Sequence, residues 1–252
     1  MGNRIAWLKA ARPASQSYIF FPLLFGQLLA LRSGVQINWV TFVLVQLFGV
    51  LDQLYIVFAN DWADVETDMR NTTFNIYSGG SRVLVNGELS RRDVGIAALL
   101  TASLATLTGA GMWITSDSFI PFVWAIFGLL LLQAYSLFPA RLNYRGGGEL
   151  LQMIGVGGVL VLIGYSAQAG TLTGFSWWIL AVTLPASLAC AITTSLPDEP
   201  SDRHSYKRSA GVIIGPKPAA YIAVALIAFS LAALIMIDPL SLEPGTRAVV
   251  AA

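Results

Sequence analysis

Seven apolar runs, each about 17–25 residues long, follow one another along this chain. They lie near positions 17–34, 39–59, 94–115, 119–138, 151–170, 176–196 and 219–237. Inside a bilayer every backbone N–H and C=O must find its partner within the chain, so such runs fold as helices. The remaining sequence is too poor in charge to build a soluble surface. Only 12% of the residues are Asp, Glu, Lys or Arg, against about 25% in an ordinary soluble domain. The expectation is an all-α, multi-span transmembrane helix bundle of about seven spans. With no low-complexity linker to divide it, residues 1–252 read as a single domain.

The basic residues orient that bundle. Arg4, Lys9 and Arg12 precede the first run; Arg70, Arg82, Arg91 and Arg92 follow the second; Arg141 and Arg145 follow the fourth; Arg203, Lys207, Arg208 and Lys217 follow the sixth. Only Arg32 and Arg247 fall on the other side. The N-terminus and the even-numbered connections are therefore expected in the cytoplasm, and the C-terminus outside. No small-residue cleavage site follows the first run, so it reads as a mature helix. The one cysteine, Cys190, excludes an internal disulfide and a multi-cysteine metal site; it reads as a small buried hydrophobe. A net charge of +1 without a basic-aromatic patch gives no sign of nucleic-acid binding.

Charge is concentrated in two connections, residues 60–93 and 197–218. Each opens with acids and continues with bases: "NDWADVETD" leads to Arg82, and "PDEPSD" leads to "YKR". If the second helix runs on past Asn60, then Asn60, Asp64 and Asp68 share a face at i, i+4, i+8, with Asp61 joining the same stripe. Asp198 and Asp202 repeat the i, i+4 spacing after Pro197. Acids in a loop are commonly just a solvated surface. Two clusters of like spacing, each abutting an apolar run and each followed by bases, argue instead for a cage of hard oxygen ligands. Such a cage suits Mg²⁺, and Arg82, Lys207 and Arg208 beside it describe a diphosphate site. Asp52, two turns before Asn60 on the same helix face, lies within an apolar run. There an ionisable group normally faces a polar cavity or bonds to a neighbouring helix.

These residues resemble a known family. "NDWADVETD" is similar to the NDxxDxxxD motif of the UbiA-type intramembrane prenyltransferases, and "DEPSD" with "YKR" is similar to their second motif. The likeness runs from Arg12 and Pro13 to about Gly215. "SGGSRVLVNGELS" (Ser78 to Ser90) and "YSLFPARLNYRGGGE" (Tyr135 to Glu149) resemble the menaquinone-pathway branch. The resemblance implies a bundle around a central cavity and Mg²⁺-dependent transfer of a polyprenyl group from an allylic diphosphate to an aromatic acceptor, 1,4-dihydroxy-2-naphthoate in that branch. It further implies a multi-pass protein of a bacterial or archaeal cell membrane, with its active-site loops cytoplasmic.

Carried over by position, Asn60, Asp61, Asp64, Asp68, Asp198 and Asp202 hold Mg²⁺, with Asp64, Asp68, Asp198 and Asp202 the catalytic acids. Arg82, Lys207 and Arg208 hold diphosphate, and Arg12 orients a substrate headgroup. Independently of the resemblance, Tyr135 and Tyr144 are aromatics that could offer a ring face to a cation, the alternative being plain packing or interface anchoring. Two departures stand out. Tyr206 occupies a place where the family carries Gly, which is expected to narrow the loop. Family members have nine spans, so seven imply C-terminal truncation or two dispensable helices. Other acceptors (hydroxybenzoate, homogentisate, haem, chlorophyllide, a sugar phosphate) belong to the same reading. A cation transporter would require acids at similar depth in several spans, whereas Asp52 stands nearly alone. An inactive homologue is a third reading. His204 and Gly146–Gly148 read as a solvated loop residue and a turn.

Overall fold

The structure is a computed structural model. It describes residues 2–71 and 80–237. Ser78, Gly79 and the tail from Asp238, which carried expectations above, lie outside the described residues. Helix α1 (Gly2–Ala11) is followed by a tight turn at Pro13–Gln16 and by α2 (Ser17–Arg32). Next come α3 (Trp39–Arg70), α4 (Arg91–Ser116) and α5 (Ile120–Ser136). A short α6 (Leu142–Arg145) leads into α7 (Gly148–Ile154), which continues through a wide turn at Gly155–Val159 into α8 (Leu160–Ala169). The chain ends with α9 (Leu180–Ser195), α10 (Glu199–His204), α11 (Ala210–Ile214) and α12 (Pro216–Ile237).

All seven apolar runs are helical. Six helical stretches are long and apolar enough to cross a membrane: Arg4–Arg32, Trp39–Arg70, Arg91–Ser116, Gly148–Ala169, Trp177–His204 and Pro216–Met236. The remaining run, the fourth, yields the 17 residues of α5, at the short end of the expected range. Leu137 is extended and Phe138 precedes Pro139, a position that disfavours helix.

Helix α3 positions the site. Asn38 caps it, its side chain accepting from the backbone N–H groups of Val40 (3.0 Å) and Thr41 (3.2 Å). No proline interrupts the next 32 residues. At 1.5 Å per residue the helix is about 48 Å long, well beyond a hydrocarbon core of about 30 Å. Its last turns, with Asp61, Asp64 and Asp68, therefore project past one face of the apolar layer. Helix α1 lies against this end, with Trp7 edge-on to Phe58 at 5.7 Å.

Small residues let the helices approach. A Cβ on Gly26 of α2 would meet Val161 O of α8 at 2.2 Å, and a Cβ on Gly164 of α8 would meet Leu23 O at 2.2 Å. The two backbones touch directly, as small residues permit between membrane helices. Nearby, the Gln168 amide donates to Gln27 Oε1 at 2.9 Å, a buried polar tie between the same pair. Neither glycine has room for a side chain. Gly164→Val should therefore lower the melting temperature of the detergent-purified protein, by about 1–3 kcal/mol in stability. An unchanged melting curve would contradict this packing.

Candidate active site

Asp64 is the hub. It is 1% exposed, and both its oxygens are engaged. Lys207, from the connection after α10, places its ammonium 2.7 Å from Oδ2, and the Tyr144 hydroxyl donates to Oδ1 at 2.7 Å. An Arg141 guanidinium nitrogen stands 3.8 Å from Oδ1 and its carbon lies over the Tyr144 ring at 4.1 Å. Thr67 completes the group at 2.8 Å from the Tyr144 hydroxyl. Burial pushes the Tyr144 phenol up to about 12, so it stays a donor. Burial alone would lower Lys207, but the charge of Asp64 outweighs it and holds the ammonium above its usual range.

Lys207 also joins the two acidic segments. Its backbone N–H donates to the carbonyl of Asp202 at 3.0 Å, and Asp202 itself is buried. The i, i+4 pair forms as the spacing predicts. Asp198 ends a tight turn that begins at Leu196, and Asp202 sits within α10. Tyr206 adopts φ 60°, a left-handed conformation that glycine takes freely and that costs other residues about 1–2 kcal/mol. Its side chain is 81% exposed. It projects outward and does not narrow the loop, contrary to expectation. The cost falls on the backbone, where a glycine would avoid it.

Asp61 and Asp68 form a second group. Asp61 pairs with the Arg12 guanidinium and accepts from Ser81. Arg12 reaches it from a left-handed turn, φ 44°, at the start of the Pro13 turn. Gly80, φ 71°, brings the returning chain against both acids. A Cβ there would lie 3.1 Å from Asp68 Oδ2, 3.2 Å from Arg12 Nη2 and 3.4 Å from Asp61 Oδ1. Arg82, also left-handed at φ 57°, donates to the carbonyls of Asp68 (3.1 Å) and Asn71 (3.4 Å). It caps the negative end of α3.

Among the described residues no three acids converge closely enough to grip one ion. The single cage expected from spacing is present as two adjacent groups, because Lys207 and Arg12 each engage one of the carboxylates. The donor chemistry, oxygens with no sulfur or imidazole, suits a hard divalent cation.

Asn60 accepts from Ser136 at 3.2 Å and lines a cavity of about 500 Å³ together with Arg12, Asp52, Gln53 and Tyr135. Tyr135 is thus placed as expected, whereas the Tyr144 face is covered by Arg141. Arg208 is exposed; its Cβ packs towards Gly146, and it is not brought to the acids. His204 is exposed on α10, and Gly146, φ 89°, is the turn between α6 and α7. Cys190 is half-buried and unpaired.

Sequence reasoning missed Arg141 and Glu149. Glu149 accepts from the Ala210 N–H at 2.7 Å and from Ser195 at 3.3 Å, tying α7 to the ends of α9 and α11. The available signal was the basic, glycine-rich connection 139–149, which places both residues near the acids.

The structure is thus a bundle of membrane-length helices with two acidic segments joined at one end, above a mainly apolar cavity. The chain belongs to the UbiA prenyltransferase family, whose model matches residues 19–251. Its fold is similar to that of a UbiA homologue from Archaeoglobus fulgidus bound to DMAPP and Mg²⁺. That match has a TM-score of 0.76 at 16% identity, covering 96% of this chain and 81% of that one. It is also similar to the apo structure of a UbiA homologue from Aeropyrum pernix K1 (TM-score 0.71, 21% identity, 87% and 78% covered). A third likeness is to a digeranylgeranylglyceryl phosphate synthase structure (TM-score 0.65, 17% identity, 92% and 76% covered). No curated protein sequence matches the chain.

Removing Lys207 would strand a buried carboxylate. Lys207→Met should destabilise the fold by about 3–5 kcal/mol, the usual penalty for breaking a buried pair from one side. Lys207→Met combined with Asp64→Leu should recover most of that loss. Thermal unfolding of the two variants is the check; equal melting temperatures for wild type and Lys207→Met would refute the pair.

Proposed function

We propose that this protein transfers a polyprenyl group from an allylic diphosphate to an aromatic acceptor, 1,4-dihydroxy-2-naphthoate in menaquinone biosynthesis, in a Mg²⁺-dependent reaction. The carrying observation is the ion pair between Asp64 and Lys207. It joins residues 143 apart in sequence and so draws together the two acidic segments, next to the cavity that Asn60 lines. The motif resemblance to the menaquinone branch supports the acceptor. The excess of basic residues on the same side supports cytoplasmic loops in a bacterial or archaeal cell membrane. A cation transporter is disfavoured because Asp52 stands alone at its depth in the spans among the described residues.

Asn60, Asp61, Asp64, Asp68, Asp198 and Asp202 would hold Mg²⁺, which supplies positive charge to the departing diphosphate. The protein's own cations add to that charge. Lys207 and Arg82 flank the acids, and Arg141 beside Asp64 joins them. A diphosphate seated there would draw Lys207 from Asp64 towards its oxygens. The allylic C–O bond breaks as negative charge builds on the leaving group, which these fixed cations stabilise. The resulting delocalised cation faces the cavity. There Tyr135 presents its ring, and the apolar walls from Ile56, Leu131 and Leu132 exclude the water that would quench it. An electron-rich carbon of the acceptor attacks, and CO₂ leaves as the ring regains aromaticity.

Asp64→Asn and Asp202→Asn should each lower Mg²⁺-dependent product formation by about two orders of magnitude or more, while membrane insertion is retained. Membranes supplied with labelled polyprenyl diphosphate and a panel of acceptors, with products identified by mass, make the test. Near-full activity in either variant, or product on a non-aromatic acceptor alone, would overturn the proposal.

A further inference from the structure

The cavity beneath the acids contains a carboxyl group that the chemistry above does not use. Asp52 lies two turns below Asn60 on the same face of α3, about 12 Å deeper along the helix. It is 4% exposed and lines the cavity. Its Oδ1 is buried without a hydrogen-bond partner. A buried polar atom left unpaired costs about 1–3 kcal/mol, so this position carries an unfavourable group that the fold itself does not need.

The neighbouring polar groups are already committed. The Gln53 amide donates to Ser15 Oγ at 2.7 Å, and the Gln152 amide donates to the Tyr18 hydroxyl at 2.7 Å. Ile56, Val57 and Leu160 line the same cavity, together with the hydroxyl-bearing Ser17, Tyr135 and Thr194. At the upper end of the same cavity Arg12 also has a buried unpartnered atom, Nε. Two residues that line the cavity, Arg12 and Asp52, thus each carry a buried polar atom without a partner.

From this arrangement we infer that Asp52 binds the hydroxyl group of the aromatic acceptor and so sets the enzyme's preference for hydroxylated rings. The inference rests on the prenyl-transfer reading for the identity of the ligand. The other substrate cannot fill the role: a polyprenyl chain has no O–H or N–H to offer, and its diphosphate would be repelled by a carboxylate. A ring hydroxyl donating to Asp52 satisfies the orphan oxygen and fixes which ring carbon faces the acid end. Asp52 acts here as a specificity-determining residue; no proton or covalent bond need be exchanged at it. A site that pairs its buried carboxyl only with a hydroxylated ligand discriminates strongly against the ligand lacking that group.

The test is binding of 1-hydroxy-2-naphthoate and of 2-naphthoate to the full chain in detergent, for wild type, Asp52→Leu and Asp52→Asn. Wild type should prefer the hydroxylated ring by about tenfold or more, and Asp52→Leu should lose that preference. Asp52→Asn, close in shape and still able to accept, should retain part of it and covers the case in which the leucine variant does not fold. Thermal unfolding separates a ligand-binding role from a structural one: both variants should melt at or above the wild-type temperature, because no internal bond is lost. No preference in wild type, undiminished preference in Asp52→Leu, or a lowered melting temperature in Asp52→Asn would overturn the assignment. Prenyl transfer to a hydroxylated acceptor is measured in parallel. If ring discrimination depends on Asp52 but no prenyl product forms, the functional reading fails and the binding assignment stands.

Discussion

A carboxylate that cannot reach bulk water needs a cation, and most of the site follows from that need. Asp64 is carried on a helix that overshoots the apolar layer, and it is then covered by the chain on both sides. Its negative charge is balanced by Lys207 from one connection and approached by Arg141 from another. Because these partners come from distant parts of the sequence, the pairing closes one end of the bundle. The same pairing leaves the site with a cation held through one charged hydrogen bond. An ammonium bonded to one carboxylate oxygen can exchange that partner for phosphate oxygens without any helix having to move.

The membrane explains the asymmetry of the molecule. In the spans, polar ties are between uncharged amides, hydroxyls and carbonyls, as between Gln27 and Gln168. Among the described residues most of the charge lies at one end, where backbone carbonyls at the end of α3 meet Arg82 and where Asp61 meets Arg12. Gly80 shows how closely the returning chain passes over the acids. Arg12, Arg82 and Arg141 all adopt the left-handed conformation around them.

Much of this was legible in the sequence because it depends on local periodicity. The apolar runs gave the helices, the absence of proline after Asn60 carried α3 through the acids, and Pro197 marked the turn that sets Asp198 and Asp202 one turn apart. What was not legible depends on which distant segments meet. Tyr144 looked like a cavity aromatic, yet its ring is covered by Arg141. Arg208 looked like a partner of Lys207, yet consecutive residues in an extended link point in different directions, and Arg208 faces outward. Glu149 was signalled only by the glycine-rich connection that it closes, since a single acid there reads as solvated. The division of the acids into two groups is likewise a matter of which base each one meets.

The backbone contact between Gly26 and Gly164 has a consequence for the shape of the cavity. With no side chains between them, α2 and α8 are held at a fixed distance, and the wall they form has no adjustable thickness. The opposite wall is different: a Cβ on Gly128 of α5 would touch only Val159 Cγ1, at an ordinary 3.5 Å. The width available to a guest molecule is therefore set on the α5 side. A larger residue at position 128 would narrow the cavity it lines, whereas neither Gly26 nor Gly164 has room for one.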